Sequence, residues 1–199
     1  MRKKIAVLLM FCLCASLLTA CTGGAGTNQL PTIAPMALTD AQQEIVTLLT
    51  NPNQEILLFE YTDGVFISIE IWVEIYRYGE LIDQRGGLQT LSDAPIEARP
   101  IAITITRPGS NEFQWTISIG GATQQGTPWT AEHAYMARAF GPIQEPIEII
   151  DDQEIILYMS RFTTGNVLGT MGDLQWYLEN PEALAEFTYT HIIKARLTK

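Results

Sequence analysis

The chain has 199 residues, with 12 basic against 22 acidic side chains, a formal net charge of −10 and three cysteines. A surface this acidic repels phosphate backbones and anionic lipid heads, which sets aside nucleic-acid binding and a polybasic second membrane anchor. With so few cysteines the fold rests on a packed core rather than on a disulfide framework, and the chain is long enough to build one.

Met1-Arg2-Lys3-Lys4 opens the chain, and residues 5–18 form an apolar run broken only by Ser16. A charged start, a short apolar stretch and small residues behind it are the parts of an export signal. The run is shorter than the roughly 20 apolar residues that a membrane-spanning helix needs. It ends in Leu18-Thr19-Ala20-Cys21, which resembles the lipobox of bacterial lipoproteins. The resemblance implies diacylglycerol transfer to the Cys21 thiol, cleavage before that residue and membrane attachment through its acyl chains. Residues 1–20 then form a lipoprotein signal peptide. Its removal takes Arg2, Lys3 and Lys4, leaving nine basic against 22 acidic residues, a formal −13. Cys12 and Cys14 leave with it, so Cys21 is the only thiol of the mature chain.

Residues 21–37 read as the lipidated cysteine and a flexible tether, rich in Gly, Thr and Pro and free of charge. Residues 38–199 read as a single β-rich extracytoplasmic domain. A short helix is predicted over 39–50, with Thr39 as cap, Gln42 at capping-box spacing, and Ala41, Ile45, Leu48 and Leu49 on one face. Asn51-Pro52-Asn53 ends it. Residues 56–61 form a strand, and Thr62-Asp63-Gly64 suits a tight hairpin. In the next strand Val65, Ile67, Ile69, Ile71, Val73 and Ile75 point one way. Ser68, Glu70 and Glu74 point the other way, with Phe66, Trp72 and Tyr76 among them.

Residues 81–90 pair back after a turn at Gly79-Glu80, with Gly86-Gly87 as a bulge. Residues 101–106 and 112–119 alternate cleanly around a turn at 107–111. Residues 120–128 read as loop, and 131–140 fit either a short helix or an irregular strand. A hairpin is predicted from 147–150 to 154–159 across Asp151-Asp152. Residues 174–187 have helical composition interrupted at Asn180-Pro181. The last strand, 189–197, puts Tyr189, His191, Ile193, Ala195 and Leu197 on one face. The sum is a mainly β chain: an antiparallel β-sandwich with one short N-terminal helix and a short helical segment before the last strand.

Little in this pattern carries catalysis. The mature chain has no thiol beyond Cys21, and no G-x-S-x-G is present. His133 sits in the ambiguous 131–140 stretch, and His191 falls on the apolar face of the last strand, a core position. Two distant histidines do not make a zinc site. Glu148, Asp151, Asp152 and Glu154 lack the alternating loop of a calcium site and read as a solvated turn. No catalytic residue, metal site or cofactor is assigned. Glu70 and Glu74 stand about 13 Å apart at strand rise, too far for a glycosidase pair. Trp72 and Tyr76 beside them form a candidate ligand-contact row, able to stack on a sugar or grip a peptide if nothing covers them.

The whole resembles the small lipoproteins that Gram-positive bacteria, clostridia in particular, encode in number. The residues that carry the likeness are the signal and lipobox, the 55–78 strand unit, the Trp115 strand and the 147–159 segment with its acidic turn. That likeness implies no activity and no functional residues. The expected function is a membrane-anchored extracytoplasmic lipoprotein acting as a non-catalytic binding or interaction module, whose partner is an envelope protein or polymer. An accessory or sensor subunit of an envelope transporter or signalling system is the alternative, and a carboxylate-dependent hydrolase a distant one.

Overall fold

The computed structural model describes residues 30–62, 65–93, 96, 99–109, 111–132, 137–165, 169 and 171–199. The signal, the lipobox and Cys21 lie outside these residues, as do Asp63-Gly64 and His133. Pro31–Lys199 is one compact unit. No helix among the described residues is long and apolar enough to cross a membrane.

Two antiparallel sheets make a sandwich. The first holds β1 (Thr32–Pro35), β2 (Gln54–Thr62), β5 (Pro100–Thr106), β6 (Glu112–Ile119), β7 (Ala122–Gln125), β8 (Trp129–Thr130) and β10 (Ile147–Glu148). Its order is β10-β1-β2-β5-β6-β7, with β8 also paired to β6. The second runs β4 (Glu80–Leu91), β3 (Ser68–Arg77), β12 (Tyr189–Thr198), β11 (Glu154–Thr163), β9 (Ala137–Pro142). Alternation does the work: Ile101, Ile103 and Ile105 on β5 meet Ile119, Ile117 and Trp115 on β6, and all six are buried. From the second sheet Ile69, Ile71, Val73 and Ile75 of β3 face inward beside Tyr189, His191, Ile193, Ala195 and Leu197 of β12. Burying β-branched and aromatic side chains between two sheets is the main stabilising term of such a fold.

Several expectations are met in detail. Helix α1 (Asp40–Leu49) carries the full capping box between Thr39 and Gln42. Gly86 and Gly87, both at positive φ, form a bulge in which two β4 residues lie between the Ile71–Leu88 and Val73–Arg85 pairs. Glycine is favoured there because the left-handed region costs it nothing.

Others are corrected. Thr32–Pro35, inside the stretch read as tether, is a strand of the first sheet, and Ile33 is fully buried. The β2–β3 connection is no hairpin: β2 pairs with β1 and β5, whereas β3 pairs with β4 and β12. The 147–159 segment behaves the same way, since β10 pairs with β1 and β11 with β9 and β12. In both places the two strands belong to different sheets, so their apolar faces meet across the core. Residues 122–125, read as loop, form an exposed edge strand. The apolar face of α1 is also not packed: Ile45, Leu48 and Leu49 are exposed.

Candidate functional site

On the second sheet's outer face, residues alternating with the core side chains are Glu70, Trp72, Glu74 and Tyr76 on β3, and Thr190, Ile192, Lys194 and Arg196 on β12. A segment crosses this face before β12. It contains α2 (Trp176–Glu179) and a 3-10 turn (Pro181–Glu186) broken apart at Asn180-Pro181, where proline removes a backbone donor.

Directed contacts hold that segment down. The Gln175 side chain accepts from the Ile156 amide at 3.0 Å and donates to the Ile156 carbonyl at 2.7 Å, where β11 departs from regular register. Arg161, buried on the outer face of β11, donates to the Tyr177 hydroxyl and to the Gly169 carbonyl, each at 2.9 Å. Its guanidinium also lies 4.5 Å from the ring centroid of Phe187. Gly79, in the β3–β4 turn at φ +81°, packs against Ala185, where an added Cβ would come within 3.0 Å of the backbone nitrogen.

Between segment and sheet the surfaces do not close, leaving a cleft of about 350 Å³. That lies at the low end of the range for small-ligand sites. Among its lining residues is Lys194, only 8% exposed. Its ammonium lies 2.9 Å from Glu74 Oε2 and 2.8 Å from Glu154 Oε2. Glu74, 7% exposed, accepts the Trp72 indole N–H at 2.9 Å and the Tyr76 hydroxyl at 2.5 Å as well. Burial alone would push the Glu74 carboxyl up. The hydrogen bonds from Trp72, Tyr76 and Lys194, with the charge of Lys194, outweigh burial and hold it below the usual carboxylate range. Burial likewise works to lower the Lys194 ammonium, but Glu154 and Glu74 outweigh it and raise it. For Tyr76, burial and the neighbouring Glu74 carboxylate both raise the phenol. Glu74 and Lys194 therefore stay a fixed ion pair near neutral pH.

The structure divides the four residues singled out from sequence. Tyr76 lines the cleft, and Glu74 lies outside the lining, bound to the Tyr76 hydroxyl and to Lys194. Trp72 is 3% exposed, with the Arg196 guanidinium 5.5 Å from its ring centroid and its N–H committed to Glu74. It supports the site from beneath, so the open aromatic row is corrected on this point: the side chain of the central strand next door covers the ring. Glu70 pairs with Arg196 at 2.7 Å, away from the cleft lining.

Sequence reasoning missed Lys194, Glu154 and Tyr177. The signal for Lys194 was present, since it takes the face of β12 opposite the apolar alternation. Nothing in the chain's spacing announces that Glu154 reaches the same nitrogen from β11.

Two other features compete less well. A hollow of about 630 Å³ lies against residues 142–147 and 171–175, but its described lining holds Glu145 and Asp173 and no basic residue. A second charged cluster joins Glu55 to Arg107 at 2.5 Å, Arg138 at 2.6 Å and the Tyr158 hydroxyl at 2.9 Å. It ties β2 to β9 and β11 between the sheets and lines none of the described hollows. Among the described residues no three His, Cys, Asp or Glu side chains gather around a point where a metal would sit.

A family model described as the YgaN domain matches residues 32–186. The match spans most of the chain, and the protein belongs to this family. Neither the curated proteins nor the solved structures yield a match. The matched stretch includes Glu74, Tyr76, Glu154 and Tyr177, and stops before β12 and Lys194.

Proposed function

We propose that this YgaN-domain protein is a lipoprotein anchored by acyl chains on Cys21 at the extracytoplasmic face of a membrane. There it works as a non-catalytic binding module that takes its ligand in the cleft beneath residues 174–187. The sequence Leu18-Thr19-Ala20-Cys21 behind a charged and apolar leader supports the anchor. The cleft supports the binding role, and one observation carries it: a buried ammonium paired with two carboxylates lines an open hollow. A buried ion pair is seldom the most stable filling for a site, and a well-packed apolar group of the same volume does as well or better. Its presence under a hollow points to recognition.

The same pair argues for binding over hydrolysis. Glu74 and Glu154 each lie within 2.9 Å of one nitrogen, so their near oxygens are at most about 6 Å apart, closer than an inverting glycosidase dyad and no farther than about the spacing of a retaining one. Such a dyad needs one carboxyl kept protonated by a raised pKa. Here the shared ammonium works the other way on Glu74.

Two measurements test the proposal. Cys21→Ser should abolish lipid labelling and membrane retention, and unchanged retention would count against the anchor. For the cleft, a screen of small envelope-derived compounds against residues 22–199, which contain the whole compact unit, should perturb the amides of Tyr177, Leu178 and Lys194. Perturbations confined to the 142–147 and 171–175 hollow would move the site there.

A further inference from the structure

We infer that the cleft beneath residues 174–187 binds an organic ammonium compound, a small molecule with an apolar body and a protonated amine. The inference rests on the cleft being the binding site and adds the chemical class of its occupant.

The floor calls for an apolar body. Ile156 and Ile192 rise from the sheet, and Leu178 and Leu184 face them from the crossing segment. Ile156, Ile192 and Leu184 are already shielded from water, so a ligand gains by covering Leu178 with Tyr76 and Tyr177, which are partly buried.

Unused hydrogen-bonding capacity calls for the charge. Glu74 is already saturated by Trp72, Tyr76 and Lys194. Lys194 has committed two of its three N–H groups to carboxylates. What remains open to a ligand is mainly acceptor: the second oxygen of Glu154, and both oxygens of Glu179, which is exposed at the rim and has no partner among the described residues. Two carboxylates of the lining, Glu154 and Glu179, stand against the one Lys194 ammonium, and Glu74, bound to that ammonium from outside the lining, brings the formal charge to −2. An anion would meet that field and compete with two carboxylates for Lys194. A cation enters it down the gradient, helped by the acidity of the rest of the domain. Tyr76 and Tyr177 also line the cleft, and aromatic side chains are among the groups that attract an ammonium.

Three probes that share one tail separate the terms: hexylammonium chloride, 1-hexanol and sodium hexanoate, titrated at pH 7 into isotopically labelled residues 22–199. Hexylammonium should bind most tightly, shift the amides of Tyr177, Leu178 and Lys194, and weaken with added salt. Glu179→Gln, a rim substitution that touches no paired group, should weaken hexylammonium by roughly tenfold, the worth of one charge-assisted contact, and leave hexanol unchanged. Hexanoate binding as tightly as hexylammonium overturns the inference. So does hexylammonium binding that ignores both Glu179→Gln and Glu154→Gln. Leu178→Trp, which fills the hollow, tells the two levels apart. If it abolishes binding of hexanol or hexanoate while hexylammonium shows no preference, the cleft stands and the ammonium class falls. If no probe binds up to millimolar concentration, or none responds to Leu178→Trp, both fall.

Discussion

Replacing His191 with phenylalanine isolates one buried group's part in acid stability. His191 sits on the inner face of β12, 1% exposed, and neither ring nitrogen has a hydrogen-bond partner among the described residues. Rings surround it: Phe113 at 4.7 Å between centroids, Trp129 and Phe162 at 4.8 Å, and Trp115 at 5.3 Å. Burial, with a smaller push from the positive charge of Arg138, takes its pKa from 6.5 down to about 3. Because the folded value lies below the unfolded one, the neutral ring favours the fold. Its stabilisation is complete above pH 6.5 and drains away as pH falls toward 3. The slope in that window is about 1.4 kcal/mol per pH unit, so about 2 kcal/mol is gone at pH 5. A typical domain has only about 5–15 kcal/mol to lose. Phenylalanine keeps an aromatic ring in the cage, removes two unpaired nitrogens and cannot titrate.

Urea unfolding followed by tryptophan fluorescence at pH 7.5, 6, 5 and 4 reads the difference directly. The carboxylates contribute equally to both proteins and cancel. The stability of His191→Phe relative to the parent should rise by about 2 kcal/mol between pH 7.5 and 5. A difference that stays constant with pH would refute the assignment of acid sensitivity to this ring, whatever its value at neutral pH.

Lys194→Met should destabilise by about 3 kcal/mol, because it leaves Glu74 buried without its cation. Combining it with Glu74→Gln should recover most of that loss, and a double-mutant cycle with no coupling would show that the pair does not act as a unit. Gln175→Ala strips the Ile156 amide and carbonyl of their partners and should cost about 2 kcal/mol. Hydrogen exchange should then quicken at residues 174–187 while β12 stays protected, and equal protection in both proteins would mean the glutamine is no anchor. Gly79→Ala combines a positive φ with a contact on Ala185, whereas Gly121→Ala has a positive φ and open space around it. The first should lose about 1 kcal/mol more in chemical unfolding than the second; equal losses would assign the whole effect to the backbone.

The strands with strict alternation were legible because a period of two has one good interpretation when one face is buried. β6 and β12 appear where their Ile and aromatic positions put them, and β3 does so from Ser68 on, but the alternation expected from Val65 breaks ahead of it: Phe66 is buried in the core, and Val65 and Ile67 are exposed. The Thr39–Gln42 capping box and the Gly86-Gly87 bulge were legible for a similar reason, since each depends on local chemistry alone. Sheet assignment was not. A turn between two strands reads the same whether they pair side by side or face each other across a core, and Asp151-Asp152 did the latter. β1 was hidden by its brevity and its proline: only Ile33 among its four residues is buried, too little to show a period. The cleft was half legible. Glu74 and Tyr76 could be read from β3, but their partner Lys194 lies 120 positions further along, and only the register of β3 with β12 brings them together.

That register also explains why the hollow exists. β12 is the central strand of the second sheet, so its outer cations have acidic neighbours on both sides: Lys194 takes Glu74 from β3 and Glu154 from β11, and Arg196 takes Glu70. Glu74 and Lys194 are already buried, and a long apolar helix laid across this face would also bury the partly exposed Glu154, Glu70 and Arg196, at several kcal/mol for each ion. The chain crosses instead with a four-residue helix and a 3-10 turn. It is pinned by the paired Gln175 hydrogen bonds, by Arg161 and at Ala185, and it leaves Glu154 partly exposed. The hollow is therefore a consequence of placing an ion-pair ladder on the middle of a sheet, where filling it with chain costs more than leaving it open. On the ammonium proposal, a ligand that brings its own positive charge fills it while pairing with Glu154 and Glu179, which offsets part of that cost.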